Sequence, residues 1–223
     1  KRVTEFLGAN AAGLTACTFH AYCNNLLQQA GLGFGVVDDL DLWVMLRRRL
    51  DELPLKRYLP PRDPGEFLDA LKQFFSRCHD ELVDVGSYDE YVAELRAGKH
   101  TLPRVLPVKK DALLTADQKL ERSAEIGAVY RKVEEMLAAR KLGTFGHMIT
   151  GAVHLLREDA AVLASARQKA RFVLIDEFQD ANVAQIELAR LLGGEERNVF
   201  AVGDPDQAIF HFRGASSAAF VEF

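Results

Sequence analysis

Two kinds of apolar pattern divide the chain. Short, largely apolar runs occupy residues 172–175 and 198–202, and both end abruptly in polar residues. Runs of this length are typical of strands buried on both faces of a parallel sheet. Residues 181–192, which lie between them, carry apolar side chains at helical spacing. The sequence therefore predicts a strand–helix–strand unit with parallel pairing and a right-handed crossover.

The N-terminal part repeats this pattern on a smaller scale. Residues 13–17 predict a short strand, and Thr18 can cap the helix that follows it. Gly31 and Gly33 are expected to end that helix. The apolar positions that would form its buried face are Phe19, Tyr22, Cys23, Leu26, Leu27 and Ala30.

From about residue 32 to 142 the pattern is helical, is broken by prolines and contains no convincing strand. Asp38 or Asp39 can cap one helix. The segment Asp63–Glu66 predicts the start of another, because it combines a cap, a first-turn proline and a glutamate three residues after the cap. Residues 118–141 predict a long amphipathic helix. This part of the chain is therefore expected to be all helical.

Together these patterns predict an α/β fold with a discontinuous sheet layer. A helix near 147–166 is expected to lead into the strand at 172–175. The parallel sheet layer would be made of residues 1–33 and 143–223, and a large helical subdomain of residues 34–142 would be inserted into it.

Composition limits the choice of function only weakly. The 28 Lys and Arg residues against 32 Asp and Glu give a net charge of -4, so any nucleic-acid surface must be local. No apolar run approaches the roughly 20 residues that a membrane helix needs, so no membrane partner is expected. The chain begins at Lys1, in a polar stretch without a starting methionine or a signal sequence, which leads us to expect an internal piece of a longer protein.

The cysteines and histidines do not follow a metal-binding pattern. Cys17, Cys23 and Cys78 are an odd number without a disulfide framework, which is typical of a reducing cytoplasm. Cys17, His20 and Cys23, with Cys78 and His79 elsewhere, lack the spacing of a zinc knuckle. The sequence therefore disfavours a zinc site.

Two carboxylates, Asp176 and Glu177, directly follow the apolar run 172–175. Open α/β sheets bind ligands at the carboxyl ends of their parallel strands. An aspartate at this place can hold Mg²⁺, and a neighbouring glutamate can deprotonate a water that attacks a γ-phosphate. This is a Walker-B-type arrangement, but an ordinary strand that ends in solvated acids explains the same residues equally well.

Three further segments decide between these alternatives. Residues 176–182 read Asp-Glu-Phe-Gln-Asp-Ala-Asn, and residues 202–215 read Val-Gly-Asp-Pro-Asp-Gln-Ala-Ile-Phe-His-Phe-Arg-Gly-Ala. They resemble motifs II and III of the UvrD/Rep-like DNA helicases of superfamily 1, and Thr18–Ala21 (Thr-Phe-His-Ala) resembles the TFH segment of that family. The resemblance implies a partial first RecA-like domain of the P-loop NTPase kind, with a 1B-like helical insertion.

The resemblance implies an ATP site with Mg²⁺ at motif II. Asp176 would be the Mg²⁺-associated acid and Glu177 the catalytic base. Gln207 matches the motif III glutamine that senses the γ-phosphate, and Arg213 would contact phosphate or link the DNA site to the ATP site. These four residues are the expected catalytic and cofactor-binding set.

The resemblance also implies that single-stranded DNA, or a junction of single-stranded and duplex DNA, is the partner. Thr18 and His20 would touch the DNA backbone, together with Arg213. Phe210 and Phe212 would stack on bases, although alternate residues of a strand also share a face that packs in a core. The family often has Tyr and Trp at these two aromatic positions, and stacking would survive both changes.

Two other features concern the neighbourhood of motif II. Gln179 and Asp180 fall within the motif and are expected to hold neighbouring motifs in register. Upstream of motif II the family commonly has an acidic segment, whereas this chain reads Thr-Phe-Gly-His-Met over residues 144–148. His147 could supply a polar contact there in place of the acids.

The 223 residues contain no Gly-x-x-x-x-Gly-Lys-Ser/Thr sequence, so the phosphate-binding loop of the family (Walker A) is missing. We therefore expect the parent protein to be an ATP-dependent 3′-to-5′ helicase of DNA repair or recombination, and this chain alone to be inactive. Two alternatives stay open, which are the helicase part of a helicase–nuclease of the AddA/RecB kind and a non-catalytic module that binds DNA or a partner.

The strand expected at 198–202 would lack the neighbour that the Walker A strand provides in related folds. An unpaired edge is a template for association with another chain. We therefore expect dimers or strand exchange.

Overall fold

The computed structural model describes residues 5, 13–58, 64–195, 198–204 and 206. Within these residues the protein is a helix-rich α/β structure with short parallel strands. The helices are α1 Phe19–Gln29, α2 Asp39–Arg48, α3 Gly65–Asp80, α4 Val85–Arg96, α5 Val108–Asp111, α6 Ala116–Ala138, α7 Phe145–Glu158, α8 Ala160–Lys169 and α9 Val183–Gly193, with 3₁₀ turns at Leu50–Glu52 and Phe178–Asp180. The strands are β1 Gly35–Val36, β2 Leu142–Gly143, β3 Val173–Ile175 and β4 Val199–Ala201.

The strands within the described residues form two separate parallel pairs. β3 pairs with β4 in the register Val173 to Val199, which confirms the predicted parallel strand–helix–strand unit around α9. β1 pairs with β2 in the register Gly35 to Leu142. The prediction that residues 32–142 contain no strand is therefore wrong at its two ends, because strands of two residues leave no apolar pattern to detect.

The predicted helix caps are confirmed at two helices. The Thr18 hydroxyl accepts a hydrogen bond of 3.2 Å from the Ala21 amide at the start of α1. The Asp38 carboxylate caps α2 and accepts from the amides of Leu40 and Asp41 at 2.9 and 2.8 Å. Each cap satisfies donors that a helix start leaves without an intrahelical partner. Asp63, the predicted cap of α3, lies outside the described residues.

Three local predictions are corrected. Residues 13–17 do not form a strand. The single helix predicted near 147–166 is two helices, because Asp159 leaves the helical conformation and its carboxylate caps α8. The run 172–175 is not buried on both faces, since Phe172 and Leu174 are 71% and 72% exposed while Ile175 is buried.

The described helices enclose two main apolar cores. The first lies within residues 37–142 and is built by the helices α2, α3 and α6. The second lies where α7 packs against α1, α8 and α9, and a smaller cluster under β3 adjoins it. α3 contacts both α7 and α9, so the two helical groups meet along α3. No helix in the described ranges is long and apolar enough to cross a bilayer.

Candidate functional site

The carboxyl ends of β3 and β4 lie side by side. The Val202 amide donates to the Ile175 carbonyl at 2.8 Å, and the Phe178 amide donates to the Val202 carbonyl at 2.9 Å. Parallel pairing therefore brings the segment after β3 next to the loop that follows β4. This is the edge of a parallel sheet at which ligands bind in open α/β folds.

Asp176 and Glu177 are both exposed at this edge. Glu177 has a φ of +53°, in the left-handed region that residues other than glycine rarely adopt. Its amide donates to the Asp176 carboxylate at 3.0 Å, so the turn is held by the acid that precedes it. The chain thus leaves β3 in a sharp turn that presents two carboxylates to solvent, and strained backbone of this kind is common at functional sites.

Gln179 links this turn to the loop after β4. Its side chain is buried, and its amide nitrogen donates to the Glu177 carboxylate at 2.5 Å. Its amide oxygen accepts from the Asp204 backbone amide at 3.0 Å. One buried amide therefore holds both the candidate base and the neighbouring loop. This is the geometry expected of a residue that keeps the two segments in register.

Asn182 connects the end of the motif to the helix α3. It caps α9 in a capping box with Gln185, with hydrogen bonds of 2.9 and 3.2 Å. Its amide also donates to the Asp80 carboxylate at 2.6 Å. Burial raises the pKa of Asp80 to about 6, although the Asn182 hydrogen bond acts in the opposite direction. Sequence reasoning missed Asp80, because nothing in the local pattern signals a contact with a residue so far along the chain.

We expect two substitutions of Asn182 to separate its two contacts. Asn182→Ser keeps a capping oxygen and removes the contact with Asp80, whereas Asn182→Ala removes both. Losing the cap costs about 0.5–2 kcal/mol, and losing the hydrogen-bond partner of the partly buried Asp80 carboxyl costs about 1 kcal/mol. Urea unfolding should therefore rank stability as wild type, then serine, then alanine. Equal stability of all three proteins would contradict both assignments.

Thr18 and His20 belong to a segment that lies against the apolar cluster under β3. Phe19, which stands between them, packs against the cluster that contains Ile175 and Phe178. The His20 ring meets Phe145 edge-on, with ring centroids 5.6 Å apart. Burial lowers the pKa of His20 below its usual value of 6.5 and so favours the neutral form of its ring at pH 7.

Four of the residues expected from the sequence cannot be placed in the same way. Gln207, Phe210, Phe212 and Arg213 lie outside the described residues. Of the predicted site residues, the structure places Asp176 and Glu177 in one turn. It places the segment of Thr18 and His20 against the apolar cluster that contains Ile175 and Phe178.

A helix-rich α/β fold with paired carboxylates at the end of a parallel strand is compatible with part of a helicase domain. Comparison with protein families identifies the helicase family, because residues 1–223 match the UvrD/REP helicase N-terminal domain. The chain belongs to this family, as its motifs led us to expect.

The similar proteins are named as helicases. The chain is 24% identical over its whole length to the ATP-dependent DNA helicase PcrA of Staphylococcus aureus. It is 38% identical over 89% of its length to a probable DNA helicase of Mycoplasma pneumoniae, and 30% identical over 90% to a probable DNA helicase II homolog of the same organism. It spans 27%, 33% and 25% of these three proteins, respectively.

Proposed function

We propose that this chain is part of the first motor domain of an ATP-dependent helicase that moves 3′ to 5′ on single-stranded DNA in repair or recombination. The contact that supports this most directly is the bridge by Gln179 between Glu177 and Asp204. It ties an exposed candidate base to the start of the segment that resembles motif III. Such a link suits an enzyme in which ATP hydrolysis at the motif II segment has to be coupled to the motif III segment.

We propose a division of the chain into a RecA-like layer of residues 1–33 and 143–223 and a helical insertion of residues 34–142. Two observations support it. The pairing of β1 with β2 places the two ends of the helical segment side by side. The helical segment also has an apolar core of its own, whose buried members lie between Leu42 and Leu137.

Asp176 and Glu177 suit an ATP–Mg²⁺ site in the parent protein. Both offer exposed carboxylate oxygens, which are the ligands that Mg²⁺ prefers, and Mg²⁺ when bound neutralises charge on the phosphates. Asp176 would hold the ion, and Glu177 would take the proton of the attacking water while Gln179 fixes its orientation. Gln207 and Arg213 are proposed to contact the phosphates.

The DNA would lie along the segment of Thr18 and His20. Phe210 and Phe212 would stack on its bases, and Arg213 would contact its backbone. The Thr18 oxygen already accepts the cap hydrogen bond, so its hydroxyl proton is available to a phosphate oxygen. Burial favours the neutral form of the His20 ring, so its contact would be mainly a hydrogen bond with little charge. DNA binding through these two residues should therefore depend weakly on salt, because releasing counterions requires charged contacts.

The test uses the full-length protein and two partial duplexes, one with a 3′ single-stranded tail and one with a 5′ tail. The proposal expects ATP hydrolysis that single-stranded DNA stimulates, and unwinding of the 3′-tailed duplex only. Unwinding of the 5′-tailed duplex alone would contradict the proposed 3′-to-5′ direction of movement. Binding of DNA without any hydrolysis would favour the non-catalytic alternative, and degradation of the DNA would favour the helicase–nuclease.

We also propose that the 223-residue chain self-associates through β4. Among the described residues β4 pairs only with β3, and the cross-strand neighbours Leu174 and Phe200 are 72% and 64% exposed. Light scattering at increasing concentration should give a mass above the 24.8 kDa of one chain. A lysine in place of Phe200 should reduce that mass, because charge on an edge strand opposes pairing. A strictly monomeric mass at high concentration would contradict the proposal.

The cytoplasmic location stays a prediction from the cysteine content. Cys17, Cys23 and Cys78 are free thiols in the structure.

A further inference from the structure

Two histidines and a glutamate meet where the helical segment contacts α7. His79 comes from α3, Glu134 from α6 and His147 from the first turn of α7. One ligand atom from each lies within 4.8 Å of the other two. Gly146 makes this approach feasible, since a Cβ at that position would lie 2.7 Å from the Cβ of His79.

Hydrogen bonding accounts for only part of this cluster. His147 Nε2 and a Glu134 carboxylate oxygen are 2.9 Å apart, which is a good hydrogen bond. His79 is only 7% exposed, and its buried Nε2 has no hydrogen-bond partner in the described part of the chain. The other Glu134 oxygen is 3.8 Å away, too far for a hydrogen bond. A buried polar atom without a partner costs about 1–3 kcal/mol, so this nitrogen calls for an explanation.

The spacing of the three side chains fits a small divalent ion. Tetrahedral Zn²⁺ binds imidazole nitrogen and carboxylate oxygen at about 2.0–2.2 Å, which places its ligands about 3.4 Å from one another. One Glu134 oxygen lies 2.9 Å from His147 Nε2 and the other lies 3.8 Å from His79 Nε2, so these two separations fall on either side of that value. Small side-chain movements would therefore be enough to close the site.

Thr144 supplies the outer hydrogen bond that histidine ligands of metals require. His147 Nδ1 lies 2.9 Å from the Thr144 hydroxyl and 3.1 Å from its backbone amide. Without an ion, Nδ1 accepts from that amide and Nε2–H donates to Glu134. With an ion on Nε2, the ring carries its proton on Nδ1 and donates it to the Thr144 hydroxyl, and the Thr144 amide gives up its hydrogen bond to that nitrogen.

We propose that His79, Glu134 and His147 bind a divalent transition metal ion of the Zn²⁺ class and so fasten α3 and α6 to α7. Two imidazoles and one carboxylate favour such an ion over Mg²⁺, which prefers oxygen ligands only. The site is separate from the proposed ATP site and does not depend on it. The side chains of His147 and Glu134 are 19% and 27% exposed, which gives an ion a path to the buried ring. Three protein ligands leave a fourth position for water.

The test is a Co²⁺ titration of the metal-free protein, followed by visible absorption, with Zn²⁺ competition. We expect one equivalent to bind and to be displaced by Zn²⁺. Glu134→Gln and His147→Gln should each weaken binding at least about tenfold. His100→Gln is the matched control, because His100 also contacts a glutamate, Glu94 at 2.8 Å, but on the exposed surface. That variant should bind like the wild type.

Failure of the wild type to bind Co²⁺ or Zn²⁺ would overturn the proposal, and so would unchanged binding in both ligand variants. Circular dichroism shows whether each variant keeps its fold. X-ray absorption of the wild-type Zn²⁺ complex needs no variant, and it should show two imidazole ligands and no sulfur. A sulfur shell would place the ion on a cysteine and would equally overturn the assignment.

Discussion

Replacing Glu177 with glutamine in the full-length protein is expected to lower DNA-stimulated ATP hydrolysis by a factor of about 10²–10⁴, the usual contribution of a general base. The substitution removes the group that would accept a proton from water. It keeps the size of the side chain and an oxygen that can accept the hydrogen bond from Gln179. The measurement is steady-state ATP hydrolysis with saturating single-stranded DNA, and the fall should appear in kcat, with little change in KM.

Glu195→Gln provides the control for this experiment. Glu195 is an exposed acid just beyond the end of α9, and its loss changes the net charge by the same amount. Its hydrolysis rate should match the wild type. If Glu177→Gln also retained the wild-type rate, Glu177 would not be the base, and the proposed mechanism would have to be abandoned.

Replacing Tyr130 with alanine is expected to destabilise the protein by about 3–5 kcal/mol, the range for removing a large aromatic side chain from a core. Tyr130 is 2% exposed and stacks on Phe75 with ring centroids 5.5 Å apart. It also meets Phe74 edge-on, and its hydroxyl donates to the Val83 carbonyl at 3.1 Å. The change therefore leaves a cavity at the centre of the core of the helical segment.

Tyr130→Phe is the matched variant, because it keeps the ring and loses only the hydroxyl. It should cost about 1 kcal/mol. Urea unfolding followed by circular dichroism gives both values. A loss below about 1 kcal/mol for the alanine variant would mean that this core contributes little to the fold. An unfolding curve with two transitions, of which Tyr130→Ala shifts only one to lower urea concentration, would support the proposed division into two domains.

Local signals in the sequence predicted two helix caps and the main pair of strands. Thr18 and Asp38 cap their helices as expected, because a cap involves only a few neighbouring residues. The predicted strands at 172–175 and 198–202 appear as Val173–Ile175 and Val199–Ala201. Their parallel pairing followed from the length of the helical connection between them.

Contacts between distant parts of the chain could not be predicted in this way. The pairing of β1 with β2 and the bond from Asn182 to Asp80 join residues that no local pattern connects. The break at Asp159 was missed because residues that favour helix stand on both sides of it, Leu155–Glu158 before it and Ala160 and Ala161 after it. For the candidate site, family motifs in the sequence pointed to Asp176, Glu177 and Gln179. The hydrogen bond from the loop after β4 to Gln179 could be found only in the structure.

The parallel direction of β1 and β2 limits how the helical segment could be shortened in an engineered protein. The chain leaves β1 at one end of the pair and has to return to the opposite end before β2 begins. A two-residue hairpin joins antiparallel strands only, whereas parallel strands need a crossover of about a dozen residues or more. A deletion that reduces this segment to a tight turn should therefore destroy the pairing, and a replacement linker long enough to cross back should preserve it.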